Sequence, residues 1–146
     1  MTEKMTKEKA LQYFGGGLDC SQVVFEHGAE LQGFDTETAL KISSAFGGGM
    51  WHGHTCGCVT GELMAIGLKY GQIKLGDEKT KNEMLKVKAE FEKKFTEAHG
   101  SVICKEILGY DLSVPEEMEK IMEEQLLATL CPKLACTACE ILEELL

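Results

Sequence analysis

The sequence predicts an all-α fold, a single domain over residues 1–146 built as a bundle of about seven or eight helices. Three observations carry that expectation. Capping residues and glycines punctuate the chain at helical intervals, and apolar residues between them recur at three- and four-residue steps, as Met84, Val87, Phe91 and Phe95 do. No segment shows the period-two alternation of a half-buried strand. Thr6 caps a first helix ending at Gly15 to Gly17, and Asp19 caps a second that runs to about Gly33. Asp35 opens a third, stopped by Gly47 to Gly49. After the loop GGGMWHGH, Thr55 reads as the cap of a fourth helix reaching Gly71. A fifth begins near Asp77 and ends at His99 and Gly100; a short sixth runs from Ser101 to Tyr110. Ser113 and Glu116 have capping-box spacing, with Pro115 in the first turn of a seventh helix. Cys131 and Pro132 break that helix and begin an eighth.

A chain of 146 residues, 44% apolar, builds one core without cross-links. The net charge of −9 repels phosphate backbones and anionic lipids, which argues against nucleic-acid and membrane binding. The start MTEKMTKEKA has no apolar stretch suited to a signal peptide, and no segment approaches the roughly 20 apolar residues of a membrane span. The expected location is therefore cytoplasmic. Seven cysteines in a reducing compartment point away from permanent disulfides and toward metal binding or transient thiol chemistry.

Four of the seven, Cys20, Cys56, Cys104 and Cys131, fall in the first turns of four separate helices. Unpaired N–H groups and the positive end of the macrodipole at a helix start favour thiolate over thiol. At 100° per residue, Cys20 shares its face with Val23, Val24, His27 and Leu31, and Cys56 with Val59, Thr60 and Leu63. Cys104 is flanked by Ile107 and Leu108, and Cys131 lies near the stripe of Leu134, Ala138 and Ile141. All four are expected to face the core and to share one site. Cys58 falls on the opposite side of its helix with Glu62, Ala65 and Lys69, and is expected outside that site. Cys136 falls on a polar face and Cys139 at its margin, so both are expected to be peripheral. A lone buried cysteine is commonly just a small core hydrophobe. Four in first turns, all inward, are a different pattern.

These residues resemble a known family. Cys56-Gly57-Cys58-Val59-Thr60-Gly61, preceded by Asp19-Cys20-Ser21-Gln22 and followed by Cys104 and Cys131, is similar to the small redox-active proteins named for a C…CGAxxG…C…C pattern. The resemblance covers most of the chain and implies redox activity carried by Cys20, Cys56, Cys104 and Cys131. The chain departs from the pattern at Cys58, where the family has alanine, and in the additional Cys136 and Cys139. The same module is similar to part of the split-Soret cytochromes c, which carry haem and an iron–sulfur centre. Glu140 after Cys136-Thr137-Ala138-Cys139, in place of the histidine of CxxCH, argues against covalent haem.

Four clustered thiolates repel, so the site needs a cation or oxidation. An iron–sulfur cluster, of the [2Fe–2S] type, takes four cysteine ligands and would move electrons to or from a redox partner protein. Zinc would take the same four sulfurs in a closed structural site, making the chain a structural or interaction protein. Two of the thiols could instead form a reversible disulfide. Sequence leaves these open. His52, His54 and Cys58 are secondary candidates for a metal, and His27 could orient a thiolate, although a hydrogen-bonded core histidine is the plainer account. Cys136 and Cys139 have thioredoxin spacing but lack its βαβ setting. Gly47 to Gly49 lack the Gly-Lys-Ser/Thr ending of a phosphate loop. Trp51 in that loop is a candidate cover for the site, and together with the terminal Leu145-Leu146 it suggests a homodimer.

Overall fold

Residues 3–146 are described by a computed structural model. Short polar side chains cap where expected. Thr6 Oγ1 accepts from the Lys9 N–H at 3.1 Å at the start of α1 (Lys7–Gly15). Asp19 precedes α2 (Cys20–Leu31), its N–H donating to Gln22 Oε1 at 3.0 Å. Asp35 Oδ2 accepts from Thr38 N–H at 3.0 Å to begin α3 (Thr36–Ser43), which ends short of the predicted glycines. The fourth helix, α4 (Gly57–Tyr70), has Cys56 rather than Thr55 at its N-cap. Asp77 Oδ1 accepts from Thr80 N–H at 3.2 Å at the head of α5 (Glu78–His99), which Gly100 closes at φ 84°.

The C-terminal third differs more from expectation. After α6 (Cys104–Leu108), the cap of α7 (Pro115–Glu123) is Val114, not Ser113. The Ser113 hydroxyl instead donates to Asp111 Oδ1 at 2.6 Å, and Glu117 accepts from the Asp111 N–H. The long seventh helix is interrupted: Gln125 adopts φ 54°, separating α7 from a one-turn α8 (Leu126–Thr129) before α9 (Cys131–Leu145). The all-α class holds, with nine helices among the described residues. The one β-type contact there is an isolated antiparallel bridge between Thr55 and Ile103. No single helix among them is long and apolar enough to cross a membrane.

Helix α4 is the axis of the bundle, packed against α2, α5 and α9. Small residues let α2 and α4 approach closely. A Cβ on Gly61 would lie 2.6 Å from the Ser21 carbonyl oxygen, and one on Gly28 would lie 2.5 Å from the Ala65 Cβ. Because α4 is surrounded, residues on its opposite sides are both buried. Cys58, Glu62 and Ala65 have no exposed surface, so the expectation that this side faces out is wrong for all but Lys69.

The apolar residues gather into two clusters. The larger contains Val23, Val59, Phe91, Phe95 and Leu142 from α2, α4, α5 and α9. The smaller is built from Cys104, Leu108, Leu112 and Ile121, with Leu126, Leu127, Leu130 and Cys131 packed on it. The Thr55–Ile103 bridge and Leu130, which packs on both, tie the two together. Cys56 N–H donates to Val102 O at 2.8 Å, and Cys104 N–H donates to His54 O at 2.6 Å.

Candidate functional site

The seam between the two clusters holds a cavity of ≈ 170 Å³ whose wall includes Cys20, Cys56, Cys104 and Cys131. A cavity of about 150 Å³ is enough to admit benzene. Cys20 and Cys56 belong to the large cluster, Cys104 and Cys131 to the small one. Leu108, Leu112, Leu127 and Leu134 make much of the remaining wall, so the thiols face one another across apolar surface.

Each cysteine is placed by a local feature. Cys20, Cys104 and Cys131 are the first residues of α2, α6 and α9. Cys56 sits just before α4 with extended backbone angles (φ −52°, ψ 137°). The paired hydrogen bonds across the Thr55–Ile103 bridge set Cys56 and Cys104 on facing strands of chain. Gly57 makes room for Cys20, because a Cβ there would lie 2.2 Å from the Cys20 sulfur.

That sulfur is the electrostatic centre of the site. The Cys56 and Cys58 thiols, joined by the backbone N–H groups of Gly48 and Ser21, hold Cys20 well below the ordinary thiol range against the opposing effect of burial. The start of α4 adds its dipole beside the same sulfur. The hydrogen bond to Cys20 in turn pushes Cys56 up, and Cys58 is pushed up by its hydrogen bonds to Cys20 and Cys56. Burial first, and then the Cys20 charge, raise Cys104 and Cys131 to about 12. Of the five sulfurs, Cys20 is the one whose surroundings favour the thiolate form.

The loop that supplies the Gly48 N–H is unusual. Gly48, Gly49, Met50 and Trp51 all lie in the left-handed region (φ 58–63°), a full turn of left-handed backbone. Non-glycine residues there cost about 1–2 kcal/mol each. The neighbourhood enforces the turn: Met50 N–H donates to Phe46 O and His54 N–H to Gly49 O. Trp51 lines the cavity while remaining 46% exposed, at its mouth.

The structure brings together the four cysteines predicted to share a site, and it adds one. Cys58, expected outside, is buried one residue beyond Gly57, on whose backbone the Cys20 sulfur rests, although it is not part of the cavity wall. Cys139, expected at the margin, has no exposed surface and lies beside Glu62. Cys136 is half-buried and away from the cavity. His52 and His54 are exposed, their rings tilted against each other with centroids 5.5 Å apart, outside the cavity wall. His27 is the plain core histidine, its Nε2 3.0 Å from Glu143 Oε1. Among the described residues no three Cys, His, Asp or Glu side chains are gathered as a single-ion metal site. Sequence reasoning missed the Gly48 N–H and the buried carboxyl of Glu62. Neither has a sequence signal, since one is backbone and the other sits where Lys69 suggested solvent.

Residues 18–145 match the family described as "Putative redox-active protein (C_GCAxxG_C_C)". The chain belongs to this family. In this member the motif region reads Cys56-Gly57-Cys58-Val59-Thr60-Gly61, and the matched span contains all seven cysteines. No curated protein and no solved structure matches the chain.

Proposed function

We propose that this family member is an electron-transfer protein whose redox centre is an iron–sulfur cluster held by Cys20, Cys56, Cys104 and Cys131. The observation that carries this reading is the cavity itself: four cysteines from four helices line one apolar space of ≈ 170 Å³. A zinc ion needs its sulfurs about 2.3 Å from a single point. Thiols spread around a cavity leave room for a larger group. Bound there, a cluster would accept and donate single electrons.

The surrounding residues suit that task. Cys20 and Cys56 hold from one side of the seam, Cys104 and Cys131 from the other. The Gly48 N–H near the Cys20 sulfur is the kind of donor that would tune cluster potential. The leucine wall keeps water from the sulfurs, and the mouth with Trp51 is the face offered to a redox partner protein. All seven cysteines are free thiols, as befits the cytoplasm, where we place the protein. A second reading, reversible thiol–disulfide chemistry, draws support from the Cys20 sulfur's place over Gly57, between Cys56 and Cys58.

Anaerobic redox titration followed by visible absorption tests the proposal. A reversible one-electron bleaching that disappears in Cys20→Ser, Cys56→Ser, Cys104→Ser and Cys131→Ser is expected. A colourless protein, or bleaching retained in those variants, contradicts it.

A further inference from the structure

Five cysteines meet at the seam, but only four line the cavity. The fifth, Cys58, has no exposed surface and follows Gly57, on whose backbone the Cys20 sulfur rests. Its place follows from Gly57. With no side chain between Cys56 and Cys58, the Cys20 sulfur settles over the glycine, in reach of both flanking thiols. The three differ in access. Cys56 is 4% exposed and Cys58 is sealed, whereas Cys20 is half-buried and borders the cavity. A small reagent entering the cavity meets Cys20, and Cys58 waits behind it. Cys56 lines the cavity together with Cys20, whereas Cys58 lies behind the wall.

We propose that Cys20 and Cys58 form a reversible disulfide that withdraws Cys20 from the four-cysteine centre, so that assembly of the centre depends on redox state. The gate regulates the site assigned above and rests on that reading for its consequence, though not for its chemistry. The oxidant is a low-molecular-weight disulfide. The Cys20 sulfur attacks one of its sulfurs, forming a mixed disulfide, and the first thiol leaves with the Cys20 proton. The Cys58 sulfur then attacks the Cys20 sulfur, forming the internal bond and expelling the second thiol with the Cys58 proton. Two protein thiols lose two electrons and two protons; the small disulfide gains both as two thiols. A dithiol reductant reverses the exchange.

The test uses the full-length protein, oxidised glutathione as the probe, and peptide mapping after free thiols are blocked. The expected result is a link between the peptide holding Cys20 and the one holding Cys56 and Cys58, retained in Cys56→Ser, absent in Cys58→Ala and removed by dithiothreitol. Circular dichroism of the Cys58→Ala variant checks its helicity. Reconstitution with iron and sulfide gives the second readout. Oxidised wild-type protein should load at least tenfold less than reduced protein, while Cys58→Ala should load equally after either treatment. A link that survives Cys58→Ala and is lost in Cys56→Ser overturns the proposal, as does a terminal glutathione adduct with no internal bond. If the link forms as expected but reduced wild-type protein takes up no iron, the disulfide stands and the cluster reading fails.

Discussion

The sulfur of Cys20 rests on the backbone of Gly57, so close that a Cβ at that position would lie 2.2 Å away. Real Cβ atoms do not approach sulfur like this, and the next nearest atoms, Ser21 N and Gly47 Cα, are backbone and cannot yield. Gly57→Ala should therefore push Cys20 out of place and abolish the redox signal. Gly67, on the same helix with open space where its Cβ would be, is the control. Gly67→Ala should keep the signal and stabilise the fold by about 0.4–1 kcal/mol. Titration and urea melts of both variants check the pair.

Serine at position 56 keeps the volume of the thiol but stays protonated and binds soft metals poorly. Cys56→Ser should lose bound iron and redox titration with helicity intact, whereas Cys136→Ser, half-buried and outside the cavity, should be close to silent. Were Cys56 merely a core filler, its replacement would cost about 1–3 kcal/mol of stability and change nothing else. Metal analysis alongside thermal melting separates these patterns.

Glu62 has no exposed surface, and neither carboxylate oxygen has a hydrogen-bond partner. Burial pushes its carboxyl up to about 10 from an ordinary 4.5. Between those values the folded chain holds a proton that the unfolded chain has released, so this group makes stability fall as pH rises. The slope from one proton is about 1.4 kcal/mol per pH unit. Glu62→Gln, which cannot ionise, should be less pH-sensitive than wild type from pH 5 to 9 and more stable at pH 8. Parallel urea-unfolding slopes for the two proteins would refute the assignment.

Two cysteines on each side of the seam mean that a group bound between them ties the small cluster to the large one. Without it, the two are joined by the isolated Thr55–Ile103 bridge and by Leu130, which packs on both. Loading should therefore slow amide exchange in α6, α7 and α8 more than in α4, whose burial does not depend on the seam. Uniform protection across the chain would argue against a centre at this position.

Much of this was legible in the sequence because its signals are local. Thr6, Asp35 and Asp77 cap as predicted, since a short polar side chain before an apolar period is a local hydrogen bond in waiting. The four cysteines were found by the same logic, each at a helix start. Cys58 was misplaced for two reasons. Cys56, with its extended backbone, lies outside the helix and off its regular turn, and α4 is buried on opposite sides, so no side of its N-terminal half faces water. Cys139 was misjudged similarly, because α9 packs against α1 and α5 as well as α2 and α4. The break at Gln125 and the left-handed turn at Met50 and Trp51 were invisible, as tertiary packing holds them there against local preference.

The central claim is that Cys20, Cys56, Cys104 and Cys131 hold an iron–sulfur cluster in the seam. Iron and acid-labile sulfide, quantified per chain in protein purified without oxygen, test it most directly. The account predicts two irons and two sulfides per chain for a [2Fe–2S] group bound by four thiolates, both lost when any one of the four becomes serine. Colourless protein with one zinc per chain, or with no metal after reconstitution of the fully reduced form, would contradict it.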